Sequence, residues 1–277
     1  MNRVATRFEC AGDTLVGIVD YPAVADAVAM IVITGGPQYR IGSHRQFVEL
    51  ARQVAAAGHT VMRFDQRGAG DSDGQTRSFD QLDDDVRAAV DELASANDSI
   101  DNIVLWGLCD GASAALLYAP TDNRIGGLVL LNPWVRREST EAQARVSNYY
   151  PAKLADMDFW KRLLSGRINI WRSGRSFVSN LLRSRRAQSQ ESRDFVDRMR
   201  AAATASELPV LVILSGQDLT AQEFIQVCEQ PQWRDWIHSE RVTVEHLPDA
   251  NHTFSRPADK QAVARLTTDW LGQLRRR

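Results

Sequence analysis

Residues 103–118, IVLWGLCDGASAALLY, join a short apolar run to a run of small and apolar residues through a turn with two glycines. The first run is typical of a buried strand, and the second is typical of a helix. Gly107 and Gly111 flank Cys109 in the pattern Gly-x-Cys-x-Gly. Glycines at these two positions let the strand and helix backbones approach closely, so that the central side chain is pushed above the sheet. We therefore predict a sharp strand–turn–helix unit with the Cys109 thiol at its tip.

Strands and helices alternate on both sides of this unit. Because such alternation produces parallel βαβ units, the predicted fold class is α/β, a mostly parallel, doubly wound sheet. Ser43 and Gln46 have the spacing of a capping box at the start of a helix that ends at Gly58. The other predicted elements are a hairpin over Phe8–Val19, strands at Val28–Thr34, Thr60–Phe64, Gly127–Leu131, Val210–Leu214 and Val242–Leu247, a helix opened by Thr220, and a last helix at Pro257–Leu271.

The alternation is interrupted between residues 134 and 207. This segment holds 15 Lys and Arg against 8 Asp and Glu, a net charge of +7, which leaves −9 for the rest of the chain. It carries aromatic and aliphatic residues in helix-like stretches, and an insertion of this length is usually a lid or a binding element. We predict a core formed by residues 1–133 and 208–277 and a helical cap over 134–207.

Composition excludes several classes of protein. The chain has 277 residues, a net charge of −2, 44% hydrophobic residues and 25% charged residues, which is ordinary globular usage. The near-neutral charge gives no global attraction to nucleic acid, and no apolar run is long enough to span a membrane. Without an apolar segment at the N-terminus, we expect a cytoplasmic protein. Three widely spaced cysteines indicate neither a disulfide framework nor a metal site, and we expect no cofactor.

Several polar or glycine residues follow predicted strands and are candidates for chemistry. Gly35 and Gly36 follow the first central strand, where a backbone N–H can serve an oxyanion hole. Asp218 follows the strand Val210–Leu214, and His252 follows the last strand. Carboxyl ends of parallel strands meet at one edge of a sheet, which is where such sheets form their sites. Each of these residues alone is equally compatible with a turn, a helix cap or a surface loop.

The same residues resemble a known group of proteins. The pattern Phe64-Asp65-x-Arg67-Gly68-x-Gly70-x-Ser72 and the Gly-Gly-Pro loop resemble the α/β-hydrolase superfamily, whose elbow is Gly-x-Ser-x-Gly. More specifically, the chain is similar to the exosortase A system-associated hydrolases of the first type. That similarity is carried by residues 35–47 (GGPQYRIGSHRQF), 106–110 (WGLCD), 131–136 (LNPWVR), 214–220 (LSGQDLT) and 252–256 (HTFSR).

The resemblance implies a fold, a site and a setting. It implies an α/β-hydrolase fold with an inserted cap, in a bacterial protein linked to exopolysaccharide and protein-sorting loci. By similarity to cysteine-bearing α/β-hydrolases such as dienelactone hydrolase, Cys109, Asp218 and His252 would form a catalytic triad. Backbone N–H groups of Gly36 and Asp110 would hold the oxyanion. The Asp110 carboxylate is expected to point away from the thiolate, because a like charge there is unfavourable.

The implied reaction is covalent acyl transfer on a small-molecule ester, thioester or lactone. A thiolate is a good leaving group, so transfer to an acceptor such as a sugar hydroxyl is an alternative to hydrolysis. A binding or scaffold protein on the same fold is another alternative, since the fold does not determine the function. The basic cap favours an anionic substrate, although a solvated basic surface is equally compatible with its charge.

The remaining histidines and glycines have simpler interpretations. His59, His238 and His246 are predicted to be structural or solvated, and His44 to be a helix-start residue near the mouth of the site. The glycine-rich stretch Asp65–Ser72 has neither a dinucleotide-binding spacing nor a phosphate-binding lysine, so we interpret it as a turn.

Overall fold

The computed structural model describes residues 1–36, 38–96, 99–135 and 195–274. Within these ranges eight strands form a single sheet in the order β1-β2-β4-β3-β5-β6-β7-β8. The strands are β1 (Asn2–Cys10), β2 (Asp13–Tyr21), β3 (Val28–Ile33), β4 (Thr60–Asp65), β5 (Asn102–Leu108), β6 (Ile125–Leu131), β7 (Val210–Gln217) and β8 (Val242–Asn251). The first two strands pair antiparallel, β2 pairs antiparallel with β4, and all later pairs are parallel. The predicted mostly parallel sheet is therefore confirmed.

Helices connect the parallel strands. In the described ranges they are α1 (Gln46–Ala56), α2 (Asp83–Ala96), α3 (Asp110–Tyr118), α4 (195–205), α5 (Leu219–Cys228), α6 (Pro231–Ile237) and α7 (Pro257–Leu274). Short 3₁₀ turns lie at Ser43–Arg45, Phe79–Gln81 and Ala119–Thr121. Helices α1 and α7 pack against each other and against the sheet.

The core explains why the apolar runs become central strands. Every residue of β3 and β4 is buried, as expected for strands covered by helices on both faces. Phe47 of α1 packs edge-to-face on Trp106 of β5, with ring centroids 5.6 Å apart. This contact fixes α1 over the strand that leads into Cys109. Because strands β3 to β8 run in one direction, the loops that follow them meet at one edge of the sheet.

Two predicted helix starts were wrong in detail. Ser43 makes no side-chain cap; a 3₁₀ turn intervenes, and α1 begins after Arg45, whose φ is 60°. The cap of α5 is Asp218 and not Thr220, because the Asp218 carboxylate accepts the Thr220 and Ala221 N–H groups. In both cases the prediction rested on a serine or threonine a few residues from the helix. The residue that caps the helix depends instead on the conformation of the loop that joins the preceding strand to it.

The chain divides into two compact units, one of residues 1–135 and 199–277 and another of residues 136–198. Most of the predicted cap over 134–207 lies outside the described residues, so the cap and its boundaries stay a prediction. Within that range, residues 195–205 form a helix. None of the described helices combines the length and apolar character needed to span a membrane.

Candidate active site

Cys109 lies at the sharp turn between β5 and α3. Its φ of 61° and ψ of −124° are a conformation that non-glycine residues rarely adopt. A Cβ on Gly107 would lie 2.4 Å from the Gly111 carbonyl carbon, and one on Gly111 would lie 2.5 Å from the Ile33 carbonyl oxygen. The start of α3 therefore touches β5 at Gly107 and the end of β3 at Gly111, and the sharp strand–turn–helix unit that the sequence predicted is confirmed. The turn leaves the Cys109 side chain partly exposed.

The Cys109 turn is also braced by the segment after β6. The Cys109 N–H donates to the Leu131 carbonyl at 2.9 Å, and the Trp134 N–H donates to the Cys109 carbonyl at 3.2 Å. Ser113 of α3 completes the brace, because its hydroxyl donates to the Trp134 carbonyl at 2.7 Å. The strained backbone of Cys109 is thus held by hydrogen bonds on both sides.

His252 lies between Asp218 and Cys109, so the structure brings the three predicted residues together. The Nδ1 of His252 is 2.8 Å from the Oδ2 of Asp218, and the ring also lies close enough to the Cys109 side chain for the two groups to interact. Hydrogen bonds to Asp218 and Cys109 raise the pKa of His252 to about 10, despite an opposing effect of burial. These interactions stabilise the protonated form of the ring, which is why its pKa is raised.

Asp218 has two roles at the end of β7. Its carboxylate accepts the Thr220 and Ala221 N–H groups at 3.2 Å each, which caps α5, while it also holds His252. Burial raises the pKa of Asp218, but the hydrogen bond and charge of His252 and the two N–H groups outweigh it. The net pKa of Asp218 is below its ordinary value, so this acid stays ionised next to the imidazole.

Asn132 is a buried residue of the site that the sequence interpretation missed. Its Nδ2 donates to the His252 carbonyl at 3.0 Å and to the Ser215 hydroxyl at 2.9 Å, and its Oδ1 accepts the Ser215 N–H at 2.9 Å. Asn132 thereby joins the ends of β6 and β7 to the loop that carries His252. Its φ of 42° suits asparagine. Its position directly after a buried strand, like that of Asp218 after β7, is the signal that could have identified it.

The two predicted oxyanion donors, Gly36 and Asp110, lie close together. The Asp110 carboxylate accepts the Gly111 N–H at 3.1 Å, and the nearby N–H groups of Gly36 and of Asp110 itself also lower its pKa. The carboxylate therefore lies against the Gly35–Gly36 turn and is not directed toward open solvent.

The remaining candidates fall outside this cluster. His238 and His246 are exposed, and His59 is buried 3.3 Å from the Val28 carbonyl, in keeping with structural or solvated roles. His44 lies in the 3₁₀ turn before α1, with a φ of 52°. Cys10 and Cys228 are buried, and burial raises the pKa of these thiols to about 11 and about 12.

Cavity size alone does not identify the site. Two open grooves of about 580 and 680 Å³ in the described structure are lined by residues around Cys10 and around Asp122, away from the cysteine–histidine cluster. Among the described residues, no group of three or more His, Cys, Asp or Glu side chains is arranged to hold a metal ion. The chemistry available at Cys109 is that of a thiol, an imidazole, a carboxylate and backbone donors.

Comparison with known proteins gives the family. The model of the family described as serine aminopeptidase, S33, matches residues 27–255, which is most of the chain. The chain belongs to this family of α/β hydrolases. The family is named for a serine, whereas the elbow of this chain carries Cys109.

Solved structures share the fold at low sequence identity. An esterase of Pyrococcus furiosus, Pf2001, has a TM-score of 0.67 and 18% identity, covering 99% of this chain and 91% of that chain. The α/β hydrolase GrgF from Penicillium sp. sh18 has a TM-score of 0.68 and 18% identity, covering 100% of both chains. The structure is therefore an α/β-hydrolase fold, as the sequence resemblance implied.

Two further relatives match part of the chain. The quorum-quenching protein AidA of Acinetobacter baumannii (strain MDR-ZJ06) is 32% identical over 121 residues, which are 41% of this chain and 38% of that protein. The polyketide transferase grgF of Penicillium sp. is 28% identical over 123 residues, which are 42% of this chain and 40% of that protein. The matched segments thus span about two fifths of each relative.

Proposed function

We propose that this hydrolase transfers acyl groups through a covalent intermediate on Cys109, with His252 as the base and Asp218 as its positioning acid. The observation that supports this proposal most directly is the position of His252, which is hydrogen-bonded to Asp218 and also interacts with the Cys109 side chain. A nucleophile, a base and an orienting acid in one chain of contacts are the common arrangement of covalent acyl transfer.

The chemistry follows from the roles of the three groups. The Cys109 thiolate attacks the acyl carbonyl carbon and forms the C–S bond, while backbone N–H groups hold the oxygen that becomes negative. The bond to the leaving alcohol or thiol breaks, and that group takes a proton from the His252 imidazolium. Water then gives a proton to His252 and attacks the thioester, and cleavage of the C–S bond releases the acid and restores the thiolate–imidazolium pair.

The proposed substrates are small esters, thioesters or lactones. Transfer of the acyl group to another acceptor is the second candidate reaction, and it is favoured by the sequence similarity to a polyketide transferase. Either water or the hydroxyl of a bound acceptor can attack a thioester intermediate. Hydrolysis therefore dominates where water reaches the intermediate, and acyl transfer dominates where water is excluded.

The charge of residues 134–207 suggests the substrate class. That segment carries a net charge of +7 against −9 for the rest of the chain, and we propose that it favours anionic acyl compounds. The similarity to exosortase A system-associated hydrolases adds the proposal that the natural substrate belongs to bacterial exopolysaccharide metabolism. Occurrence of the gene beside exopolysaccharide genes is the observation that would support that setting.

The test uses acyl esters and thioesters that are neutral or anionic, with intact-protein mass spectrometry and product analysis. We expect an acyl adduct on Cys109 in the wild-type protein and none after Cys109→Ala, while Cys228→Ala acts as the matched control and keeps the adduct. Turnover of anionic compounds should exceed that of neutral ones, and the preference should decline above about 0.1 M salt, where the Debye length is about 10 Å.

Three outcomes would contradict parts of the proposal. An adduct that survives Cys109→Ala would exclude this nucleophile. Turnover without charge preference or salt effect would remove the role given to the basic segment and leave the acyl chemistry in place. A product that carries the acyl group on an added sugar, formed faster than the free acid, would identify a transferase.

A further inference from the structure

The side chain of Asp110 occupies an unusual position beside the proposed nucleophile. It follows Cys109 directly and begins α3, yet its carboxylate folds back onto the Gly35–Gly36 turn. A Cβ on Gly35 would lie only 1.8 Å from the Asp110 Oδ1, so the turn has no room for a side chain at that position. The loop after β3 is therefore shaped around a carboxylate that comes from α3.

This carboxylate uses the donors that an acyl-transfer reaction needs. Gly36 and Asp110 carry the two N–H groups proposed for the oxyanion, and the Asp110 carboxylate lies beside both, with its Oδ2 3.6 Å from the position that a Cβ on Gly36 would take. The next residue along the loop is a proline, which has no N–H. The Gln38 N–H donates to the Gly35 carbonyl at 3.2 Å. In this structure the proposed oxyanion hole thus already holds an anion, and that anion belongs to the protein.

Burial disfavours the charged form of the Asp110 carboxylate at this position. Burial raises the pKa of Asp110, and the N–H groups of Gly36, Gly111 and Asp110 lower it by less, so the net pKa is above its ordinary value. The charged form is therefore less stable here than in water, despite three donors. An anion in this condition is displaced more readily than one whose hydrogen bonds outweigh its burial.

We propose that Asp110 gates the oxyanion hole: its carboxylate fills the hole in the resting protein and must leave the Gly36 and Asp110 N–H groups before an acyl group is transferred. This inference rests on the proposed acyl chemistry of Cys109. When the thiolate attacks, the carbonyl oxygen gains the electron pair of the C=O bond and needs both donors. Substrates that displace the carboxylate react, and those that leave it in place do not.

The experiment compares two reactions of the same thiol in the full-length protein. p-Nitrophenyl acetate acylates Cys109 through a tetrahedral oxyanion, whereas iodoacetamide alkylates it by displacement at a saturated carbon, which needs no oxyanion donors. The ratio of the two rate constants removes changes in thiol nucleophilicity and access. The variants are Asp110→Ala, the isosteric Asp110→Asn, and Asp249→Ala as a matched control near the His252 loop.

We expect the acylation-to-alkylation ratio to rise about tenfold or more in Asp110→Ala, since one oxyanion donor is worth about 10²–10³ in rate. A smaller rise is expected in Asp110→Asn, whose neutral amide oxygen accepts more weakly, and no change in Asp249→Ala. An unchanged or lower ratio in a folded Asp110→Ala protein would overturn the gate and show that the carboxylate braces the loop.

Two further outcomes are decisive. If Asp110→Ala does not fold, as judged by circular dichroism, the ratio in Asp110→Asn decides, and a rise supports the gate while its absence overturns it. If every variant is alkylated at Cys109 and none is acylated, the proposed acyl chemistry fails and the gate fails with it. Acylation with an unaffected ratio overturns the gate alone.

Discussion

Two glycine-containing turns follow the carboxyl ends of parallel strands in the same sheet, and they differ in the exposure of their polar side chains. The turn after β5 places Cys109, with a φ of 61°, where its side chain is partly exposed. The turn after β4, residues 65–72, also contains glycines with positive φ at Gly68 and Gly70. Its central acidic and basic side chains, Asp65 and Arg67, are however buried.

The buried charges of the second turn are satisfied within the protein. Asp65 is fully buried and accepts the backbone N–H groups of Arg40 at 2.6 Å and Asp71 at 3.0 Å. Arg67 is also buried, and its guanidinium donates to the Asp85 carboxylate at 3.0 and 2.8 Å. The hydrogen bond to Asp85 is the main cause that raises the pKa of Arg67. No phosphate is needed to balance these groups, in agreement with the interpretation of this stretch as a turn.

The two turns differ in whether their polar groups are accessible to solvent or paired with one another inside the protein. The polar groups around Cys109 follow several different strands, and the thiol is still accessible. Those around Asp65 and Arg67 are paired and closed off. We therefore expect acid-to-amide substitutions to affect activity in the first region and stability in the second.

The largest expected effect is that of Asp218→Asn on turnover. The amide keeps the shape and can still cap α5, since asparagine and aspartate are similar caps. It no longer provides the charge that holds the imidazole, so acyl turnover should decline by about 10⁴-fold in a protein that still folds, although the stability that comes from the raised His252 pKa is reduced. Steady-state kinetics with an activated ester, alongside a thermal unfolding curve, checks this.

The pKa of His252 gives a second measurement on the same variant. A raised histidine pKa contributes stability below its ordinary value of about 6.5, and this contribution is lost as the pH rises through about 10. In Asp218→Asn the pKa, measured by NMR, should shift down toward 6.5, and the loss should begin at lower pH. An unshifted pKa, or full activity of Asp218→Asn combined with inactivity of Asp249→Asn, would contradict the assignment of the acid.

Asp85→Asn should have the next largest effect, on stability. It leaves the buried Arg67 guanidinium without its main counter-charge, and removing one partner of a buried pair costs about 3–5 kcal/mol. Denaturant unfolding should show this loss, while the protein that remains folded should keep its turnover. Asp84→Asn is the control, because Asp84 is exposed and 3.4 Å from the same guanidinium, so its loss should cost less than about 1 kcal/mol. A stable Asp85→Asn protein with lowered turnover would place this network in the active site.

The third prediction concerns the three thiols and has the smallest effect. Cys109 is partly exposed beside His252, whereas Cys10 and Cys228 are buried with pKa values raised to about 11 and about 12. At neutral pH iodoacetamide should label Cys109 at least about 100-fold faster than the other two, since only the thiolate reacts. Peptide mapping after timed labelling measures this ratio. Equal labelling of Cys10 and Cys109 would show that Cys109 is not activated.

Most of the fold could be predicted because its signals are local. Continuous apolar runs predict central strands that are covered on both faces. Gly107 and Gly111 predict a close contact between backbones, because only glycine fits there. The order of Cys109, Asp218 and His252 after three strands also predicted which side chains meet. Parallel strands bring their ends to one edge whatever the loops contain.

The sequence-based predictions were wrong or incomplete where the contacts of a side chain depend on residues that are far away in the sequence. Ser43 has the pattern of a cap but makes none, because the loop that precedes α1 enters through a left-handed residue. Asn132 follows a buried strand, as Asp218 does, but its hydrogen bonds to Ser215 and to the His252 carbonyl depend on β7 and the His252 loop, which are far away in the sequence.

The sequence by itself determined the sheet, the elbow and the identity of the three candidate reactive side chains, since periodicity and steric limits act over a few residues. Only the tertiary structure decided what those side chains face. It placed the Asp110 carboxylate against the Gly35–Gly36 turn, a contact for which the sequence carries no local pattern. The position of this side chain depends on burial and hydrogen bonding between elements that are far apart in the chain, so a local sequence pattern does not predict it.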